Sequence, residues 1–366
     1  MNNIRILSID GGGIRGIIPL KVLEYIERQT GKQIHELFDV MGGTSTGGII
    51  ALGLNSKHQG EGEQSIYSAE ELNKFYTEEG DKIFVKLKQQ EPKQEESDEN
   101  SNSEELSEAE ETKSENYKAP GFDKPTYKKE SIEDYLRKKF GDTKMSELDK
   151  RKDVVVSSYD IQNDSPYYFS SQKACKNPEE DYYVWQAARA TSAAPTYFPA
   201  AKYSLEKSSP VFVDGGVYIN NPALDLLIRA KRLSQNQNEQ NFILVSLGTG
   251  NMKVLRPYLE NEGIRAWMLG NPLKPKTRPP GALLEVMMKG VAEATHEQLE
   301  DLVTGNSGLK LPGLKKYYRY QKKMSENIAM DDIEKETIRK LIKLGEELVK
   351  DNQKSLDELC EDLVGK

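Results

Sequence analysis

A serine between two glycines, at positions 43–47 with the sequence GTSTG, is the feature that most constrains the fold of this chain. The apolar run 37–41 before it predicts a buried strand, and the apolar run 49–54 after it predicts a helix. Ser45 is therefore expected on a strand-to-helix turn, which exposes a strained central side chain and needs glycine where a Cβ would collide. The pattern alone fits a nucleophile and a glycine-rich loop without chemistry equally well.

The N-terminal segment shows the same order of strand, glycine loop and helix. Residues 5–9 are apolar, the sequence DGGGIRG follows at 10–16, and apolar residues recur at helical spacing over 17–26. The glycine spacing also fits a dinucleotide-binding loop, but that site needs a strand ending in an acidic residue about 20 positions later, and no strand leads into Glu36. An oxyanion hole built from glycine N–H groups suits a nearby serine turn better.

A serine hydroxyl needs a general base, and the chain has three histidines. His35 lies upstream of the serine turn, His58 lies in a polar stretch after it, and neither position suits a base. His296 lies on a predicted amphipathic helix, which leaves a histidine triad open as an alternative. A carboxylate is the other choice: a β-branched and aromatic run ends in Asp214, which is either the base or the cap of a turn.

The glycine loop at 10–16, the serine turn at 43–47 and the sequence DGG at 214–216, in this order, resemble motifs of the patatin-like phospholipases. Segments 190–198, 220–222 and 246–250 match as well, so the resemblance extends from about residue 4 to residue 250 with one insert. The resemblance implies that Ser45 is the nucleophile and Asp214 its base in a two-residue dyad. It implies an oxyanion hole made by the backbone amides of Gly11, Gly12 and Gly13. The supporting motif positions are Arg15, Gly16, Gly43, Gly47, Gly215 and Gly216, with Arg15 ordering the loop or attracting an anionic head group.

The resemblance also implies the architecture and the reaction. We expect a three-layer α/β/α fold with a mostly parallel central sheet over residues 1–250, and a mainly helical C-terminal extension over 251–366 that packs on it. The implied activity is a serine lipid acyl hydrolase of the phospholipase A or lysophospholipase type, without a metal or cofactor. Two alternatives stay open: an acyltransferase that uses the same acyl-serine, and a lipase effector of bacterial defence activated by a cyclic nucleotide.

An acidic insert accounts for the formal net charge of −8. Residues 91–116 contain eleven Asp or Glu and two Lys, a local charge of −9, so that the rest of the chain carries +1. Because this insert has almost no apolar residues, we expect it to be disordered. A solvated spacer is the simpler interpretation, and a regulatory arm that competes with anionic lipid is the other.

The expected location is the cytoplasm, with peripheral membrane association during catalysis. No charged leader with an apolar core precedes residue 4, and no run of eighteen apolar residues occurs. Cys175 and Cys360 show no metal-ligand spacing and predict reduced thiols. The expected partner is a lipid substrate met in transient contact with a membrane surface, and no nucleic-acid polymer is expected. A homodimer and a small-molecule activator stay open.

Overall fold

The structure is a computed structural model. It describes residues 3–59, 64–86, 125–204, 209–233, 240–251, 259–260, 263–269, 282–306 and 308–365. The predicted acidic insert at 91–116 lies outside the described residues.

Strands and helices alternate along most of the described chain. The strands are β1 (Asn3–Ile9), β2 (Val40–Thr44), β3 (Lys57–Gln59), β4 (Gln64–Ile66), β5 (Asp153–Asp160), β6 (Ser165–Ser170), β7 (Ala201–Lys202), β8 (Val211–Asp214), β9 (Asn241–Leu247) and β10 (Leu314–Tyr320). The helices are α1 (Ile17–Thr30), α2 (Ile34–Leu37), α3 (Thr46–Gly53), α4 (Ala69–Thr77), α5 (Gly80–Ile83), α6 (Lys129–Phe140), α7 (Ser171–Lys176), α8 (Val184–Thr191), α9 (Ala223–Leu233), α10 (Ile264–Leu269), α11 (Ala282–Thr304), α12 (Lys335–Asp351) and α13 (Gln353–Val364).

Within the described residues, eight strands form one mixed sheet in the order β10-β9-β1-β2-β5-β8-β7, with β6 also paired to β5. The strands β10, β9, β1, β2 and β5 are parallel. The strands β6, β7 and β8 pair antiparallel with their neighbours. The predicted, mostly parallel sheet is confirmed, and its parallel strands all end at the edge where the glycine loop and the serine turn begin.

The sheet separates two hydrophobic cores, one on each face. Leu7 and Val245 belong to the core that also contains the inner faces of α1, α12 and α13. Their strand neighbours Ile6 and Leu244 belong to a second core, under α9 and α11. Because side chains alternate between the faces of a strand, each strand contributes to both cores, and helices cover both. The three-layer α/β/α prediction is therefore confirmed.

The strand before the serine turn begins later than the apolar run predicts. Leu37 ends the short helix α2, and β2 starts at Val40, so the glycine pair before Thr44 is part of the strand. Glycine is a weak strand former, and the reason for it here is close packing. A Cβ at Gly42 would overlap the carbonyl oxygen of Val155 on the neighbouring strand.

Residues after 250 add to the same sheet and to the same core. The strand β10 pairs with β9 and forms the edge of the sheet. The helices α12 and α13 contribute Leu341, Leu348 and Leu356 to the core on the α1 face. None of the helices in the described part of the chain is long and apolar enough to cross a membrane.

Candidate active site

The register of β5 brings Ser45 and Asp214 together, although they lie far apart in sequence. Thr44, the last residue of β2, pairs with Ser157, and Asp214, the last residue of β8, pairs with the next residue, Ser158. Since β6 occupies the opposite edge of β5 over residues 155–160, β2 and β8 share one edge and approach end to end. The residue after β2 and the last residue of β8 therefore meet.

Ser45 lies at the N-terminus of α3 with φ 54° and ψ −124°, a backbone conformation that costs a residue with a Cβ free energy. A Cβ at Gly43 would overlap the backbone of Gly47, and a Cβ at Gly47 would overlap the carbonyl oxygen of Ile9. These overlaps are the collisions expected where a strand and a helix pass closely. Ser45 is only 9% exposed, less than expected for such a turn, because the glycine loop packs close to it: a Cβ at Gly11 would lie 3.3 Å from Ser45 Cβ.

The last residue of α8 and the segment after it fix the backbone of both residues. Thr191 Oγ1 accepts a hydrogen bond from the N–H of Ser45 at 2.9 Å. Two residues later, the carbonyl of Ala193 accepts from the N–H of Asp214 at 3.0 Å. Sequence reasoning placed this segment among the matching motifs but gave it no role, because only the fold shows that it lies between the two catalytic candidates.

Asp214 is buried with one oxygen bound and one unpaired. Its Oδ1 accepts from the N–H of Gly216 at 2.7 Å, while Oδ2 has no hydrogen-bond partner among the described residues. Burial raises the pKa of Asp214 to about 7, against the opposing effects of the Ser45 hydroxyl and the Gly216 N–H. A carboxylate with this pKa is a far stronger base than an exposed aspartate, and its free oxygen is available to a proton from Ser45.

Backbone hydrogen bonds hold the glycine loop immediately before Gly12 and immediately after Gly13. The N–H of Gly11 donates to the carbonyl of Asn220 at 3.1 Å, so this amide is already used. The N–H of Ile14 donates to the carbonyl of Met330 at 2.8 Å. Between them, the N–H groups of Gly12 and Gly13 donate no hydrogen bond to any residue that the structure describes. Gly13 has φ 58°, which favours glycine at this position.

The remaining motif residues lie around these two groups. Arg15 Nε donates to the carbonyl of Gly12 at 3.3 Å, which ties the side chain to the loop. A Cβ at Gly16 would overlap Thr46 Oγ1 beside the nucleophile. Gly215 packs in the same way against Ser157, and Gly216 against Met288 of α11. Each of these glycines therefore permits a close contact at the site.

A small cavity lies beside the glycine loop, between it and α11. Its volume is about 50 Å³, which is large enough for water but not for an acyl chain. Gly11 and Arg15 of the loop, Glu285 and Met288 of α11, and Asn220 after β8 are among the residues that line it.

No histidine bonds to Ser45 or Asp214 among the side chains that the structure describes. His296 Nδ1 lies 3.1 Å from the hydroxyl of Tyr317, and its Nε2 lies 3.6 Å from Glu300, on the outer part of α11. His35 belongs to α2, before β2, and the side chain of His58 lies outside the described residues. Glu36 also lies on α2 rather than at a strand end, as a ribose-binding residue would.

One ion pair at the site was not predicted from the sequence. Arg319 on β10 binds the carboxylate of Asp10, the residue before Gly11. Residues 315–320 form a basic and aromatic run, a pattern that fits either contact with lipid phosphates or an exposed strand with amphipathic side chains. The strand is present, but the side chain of Arg319 is only 7% exposed, since it points to the sheet face that α11 covers. A lone arginine in a basic run gives no signal of such burial.

Comparison with known proteins agrees with this geometry. The sequence model of the patatin-like phospholipase family matches residues 7–227, which include every candidate residue of the dyad and the glycine loop. The chain belongs to the patatin-like phospholipase family. Members of this family are lipid acyl hydrolases, and this patatin-like protein is a carboxylic ester hydrolase.

Individual relatives are distant. Patatin-like protein 2 of Arabidopsis thaliana is 30% identical, over 74% of this chain and 65% of that protein. Patatin-T5 of Solanum tuberosum is 26% identical, over 95% of this chain and 84% of that protein. A protein of the same plant named probable inactive patatin-3-Kuras 1 is 29% identical, over 72% of this chain and 68% of that protein.

Proposed function

We propose that this protein is a phospholipase A or lysophospholipase type enzyme that cleaves acyl esters of membrane lipids through a Ser45–Asp214 dyad and an acyl-enzyme. The observation that carries the proposal is a serine at a strained strand-to-helix turn beside a buried carboxylate with a pKa of about 7, one oxygen of which accepts no hydrogen bond from the described residues. Family membership supports the acyl hydrolase chemistry in general. The dyad and the type of lipid are our inference.

In the proposed first step, Asp214 Oδ2 accepts the proton of the Ser45 hydroxyl while Oγ attacks the ester carbonyl carbon. The carbonyl oxygen becomes an oxyanion, which the N–H groups of Gly12 and Gly13 stabilise. The tetrahedral intermediate then collapses and the C–O bond to the alcohol breaks. Asp214 returns its proton to the alcohol as the alcohol leaves. The acyl group remains on Ser45.

In the second step, water gives a proton to Asp214 and attacks the acyl-serine carbonyl. The same two amides hold the second oxyanion, and the fatty acid leaves as the proton returns to Ser45. An alcohol in place of water would produce acyl transfer instead.

The test is direct identification of the products. Purified protein is incubated with a mixture of phospholipids and lysophospholipids, and mass spectrometry measures free fatty acids and any new acyl esters. We expect free fatty acids as the main products. New acyl esters in excess would support the acyltransferase alternative, and release only after addition of cyclic nucleotides would support the signal-activated alternative. No product from any lipid by folded protein would contradict the proposal.

We also propose transient contact of α11 with the membrane surface. Val286 and Met287, 38% and 48% exposed, lie on its outer face together with Leu283. The next residue, Met288, faces Gly216 at the dyad. Toward its C-terminal end, the outer face of α11 becomes charged at Glu297, Glu300 and Asp301. The apolar part of the face thus lies beside the active site, where a bilayer would deliver its lipids.

A pair of matched substitutions tests this contact. Met287→Glu places a charge in the apolar part, so we expect weaker co-sedimentation with phospholipid vesicles and slower vesicle hydrolysis, with unchanged turnover of a water-soluble short-chain ester. Leu309→Glu is the control, because Leu309 is 69% exposed and follows the opposite end of α11. Equal vesicle binding by the two variants would exclude α11 as the contact surface.

A further inference from the structure

A buried ion pair joins the edge strand β10 to the start of the glycine loop. Arg319 Nη2 donates to Asp10 Oδ2 at 2.6 Å, and Nη1 donates to Asp10 Oδ1 at 3.0 Å. The two side chains are only 7% and 2% exposed. Two parallel hydrogen bonds fix both the position and the plane of the Asp10 carboxylate. The proposed reaction does not use this pair directly.

The register of three strands explains how an edge residue reaches the loop. Arg319 pairs with Ser246 on β9, and Ser246 pairs with Ser8 on β1. Alternate residues share one face of a strand, so Ser8 and Asp10 point to the same face. The long arginine crosses the row of two small serines, and its Nη1 also donates to Ser246 Oγ at 2.9 Å. A larger side chain at Ser246 would occupy this path.

Asp10 is one of the residues that hydrogen bonds hold in place beside the amides of Gly12 and Gly13. Its N–H donates to the carbonyl of Leu247 at 2.9 Å, and its carboxylate is held by Arg319. The carbonyl of the next residue, Gly11, accepts from Thr249 Oγ1 at 2.6 Å. The free N–H groups that follow, at Gly12 and Gly13, can keep their directions only if these hydrogen bonds hold.

We propose that Arg319 is a positioning residue for the oxyanion hole, and that it acts through Asp10. It holds the loop so that the amides of Gly12 and Gly13 meet the oxyanion, and it neutralises a carboxylate that would otherwise repel the oxyanion. This inference rests on the proposed acyl hydrolase function. Because the oxyanion forms only during the reaction, we expect substitution of Arg319 to lower kcat and to leave KM nearly unchanged.

Two variants test the role with a water-soluble short-chain ester as substrate. Arg319→Lys keeps the positive charge but loses the fork of two hydrogen bonds, and we expect kcat to fall about tenfold with KM nearly unchanged. The double variant Asp10→Leu with Arg319→Met leaves no unpaired buried charge, so it is expected to fold. Without the anchor, its kcat is expected to fall about 100-fold, as a misplacement of about 1 Å can cause.

Arg5→Lys is the matched control. Arg5 also binds a carboxylate with two nitrogens, Asp39 at 3.2 and 3.3 Å, at the opposite end of β1 from the loop. We expect this variant to keep the kcat of the wild type. Thermal melting of each variant identifies losses that come from unfolding, and all assays are run below the lowest melting temperature.

The outcomes separate this inference from the proposed function. Absence of ester hydrolysis in the wild type would reject the function, and the inference with it. A wild-type kcat in folded Arg319→Lys would overturn the inference alone. So would a rise in KM at constant kcat, or an equal loss in Arg5→Lys, which would show a general structural role. If the double variant does not fold, Arg319→Lys decides by itself.

Discussion

Ser45→Ala is expected to abolish ester hydrolysis while the protein stays folded. The substitution removes one oxygen, and loss of the nucleophile of a serine hydrolase lowers kcat by about 10⁶-fold. A fluorophosphonate probe should label Ser45 in the wild type and leave Ser45→Ala unlabelled, as peptide mass spectrometry can show. The melting temperature should change little, because the side chain of Ser45 caps no helix N–H group.

Two further substitutions sharpen this experiment. Ser45→Gly also lacks the hydroxyl, but glycine adopts φ 54° without strain, so we expect it to be more stable than Ser45→Ala by about 1 kcal/mol. Ser56→Ala removes a buried hydroxyl just beyond the other end of the same helix, where Oγ donates to the carbonyl of Leu52 at 2.7 Å. It should keep full activity and labelling. Label on another residue, or turnover by Ser45→Ala, would reject the assigned nucleophile.

The parallel strands could be predicted from the sequence because their patterns are strong. The β-branched run at 153–160 and the apolar run at 241–247 coincide with β5 and β9. The start of β2 could not, because the apolar Leu37 and Phe38 lie in and after a short helix while glycines form the strand. Apolar runs report burial, and at this point burial does not distinguish a helix end from a strand.

The sequence predicted those parts of the candidate site whose geometry is set by residues close together in the chain. Ser45 needs only its own turn, whereas the meeting of Ser45 with Asp214 depends on the register of β5. The sequence also could not show which loop amides already donate a hydrogen bond. The N–H of Gly11 donates to Asn220, which lies more than 200 residues later in the chain. Arg319 was missed for the same reason: its partner lies two strands away.

Asp214→Asn is expected to lower kcat by ~10²–10⁴, the range that a positioned general base contributes. The amide keeps the shape and can still accept from the Gly216 N–H, but it cannot accept the proton of Ser45. His296→Ala should lose less than tenfold, because His296 contacts Tyr317 and Glu300 rather than the dyad. Equal losses in the two folded variants would restore the histidine triad. In the wild type, activity should rise with pH up to about 7, as Asp214 ionises.

The same substitution is expected to stabilise the protein above neutral pH. Burial raises the pKa of Asp214 from 3.8 to about 7, so the folded state holds this proton more tightly than the unfolded state. The resulting stability is fully present below about pH 4 and is lost as the pH rises through about 7. A shift of this size corresponds to as much as about 4 kcal/mol.

Asp214→Asn has no such proton to lose, so its free energy of unfolding should exceed that of the wild type at pH 8. The difference should shrink steadily as the pH falls toward 4, where the buried carboxyl of the wild type is also neutral. Urea unfolding of the two proteins at several pH values between 4 and 8 measures this difference. A gap that widens toward low pH would mean that Asp214 is stabilised as an anion, and hence a weaker base than the dyad requires.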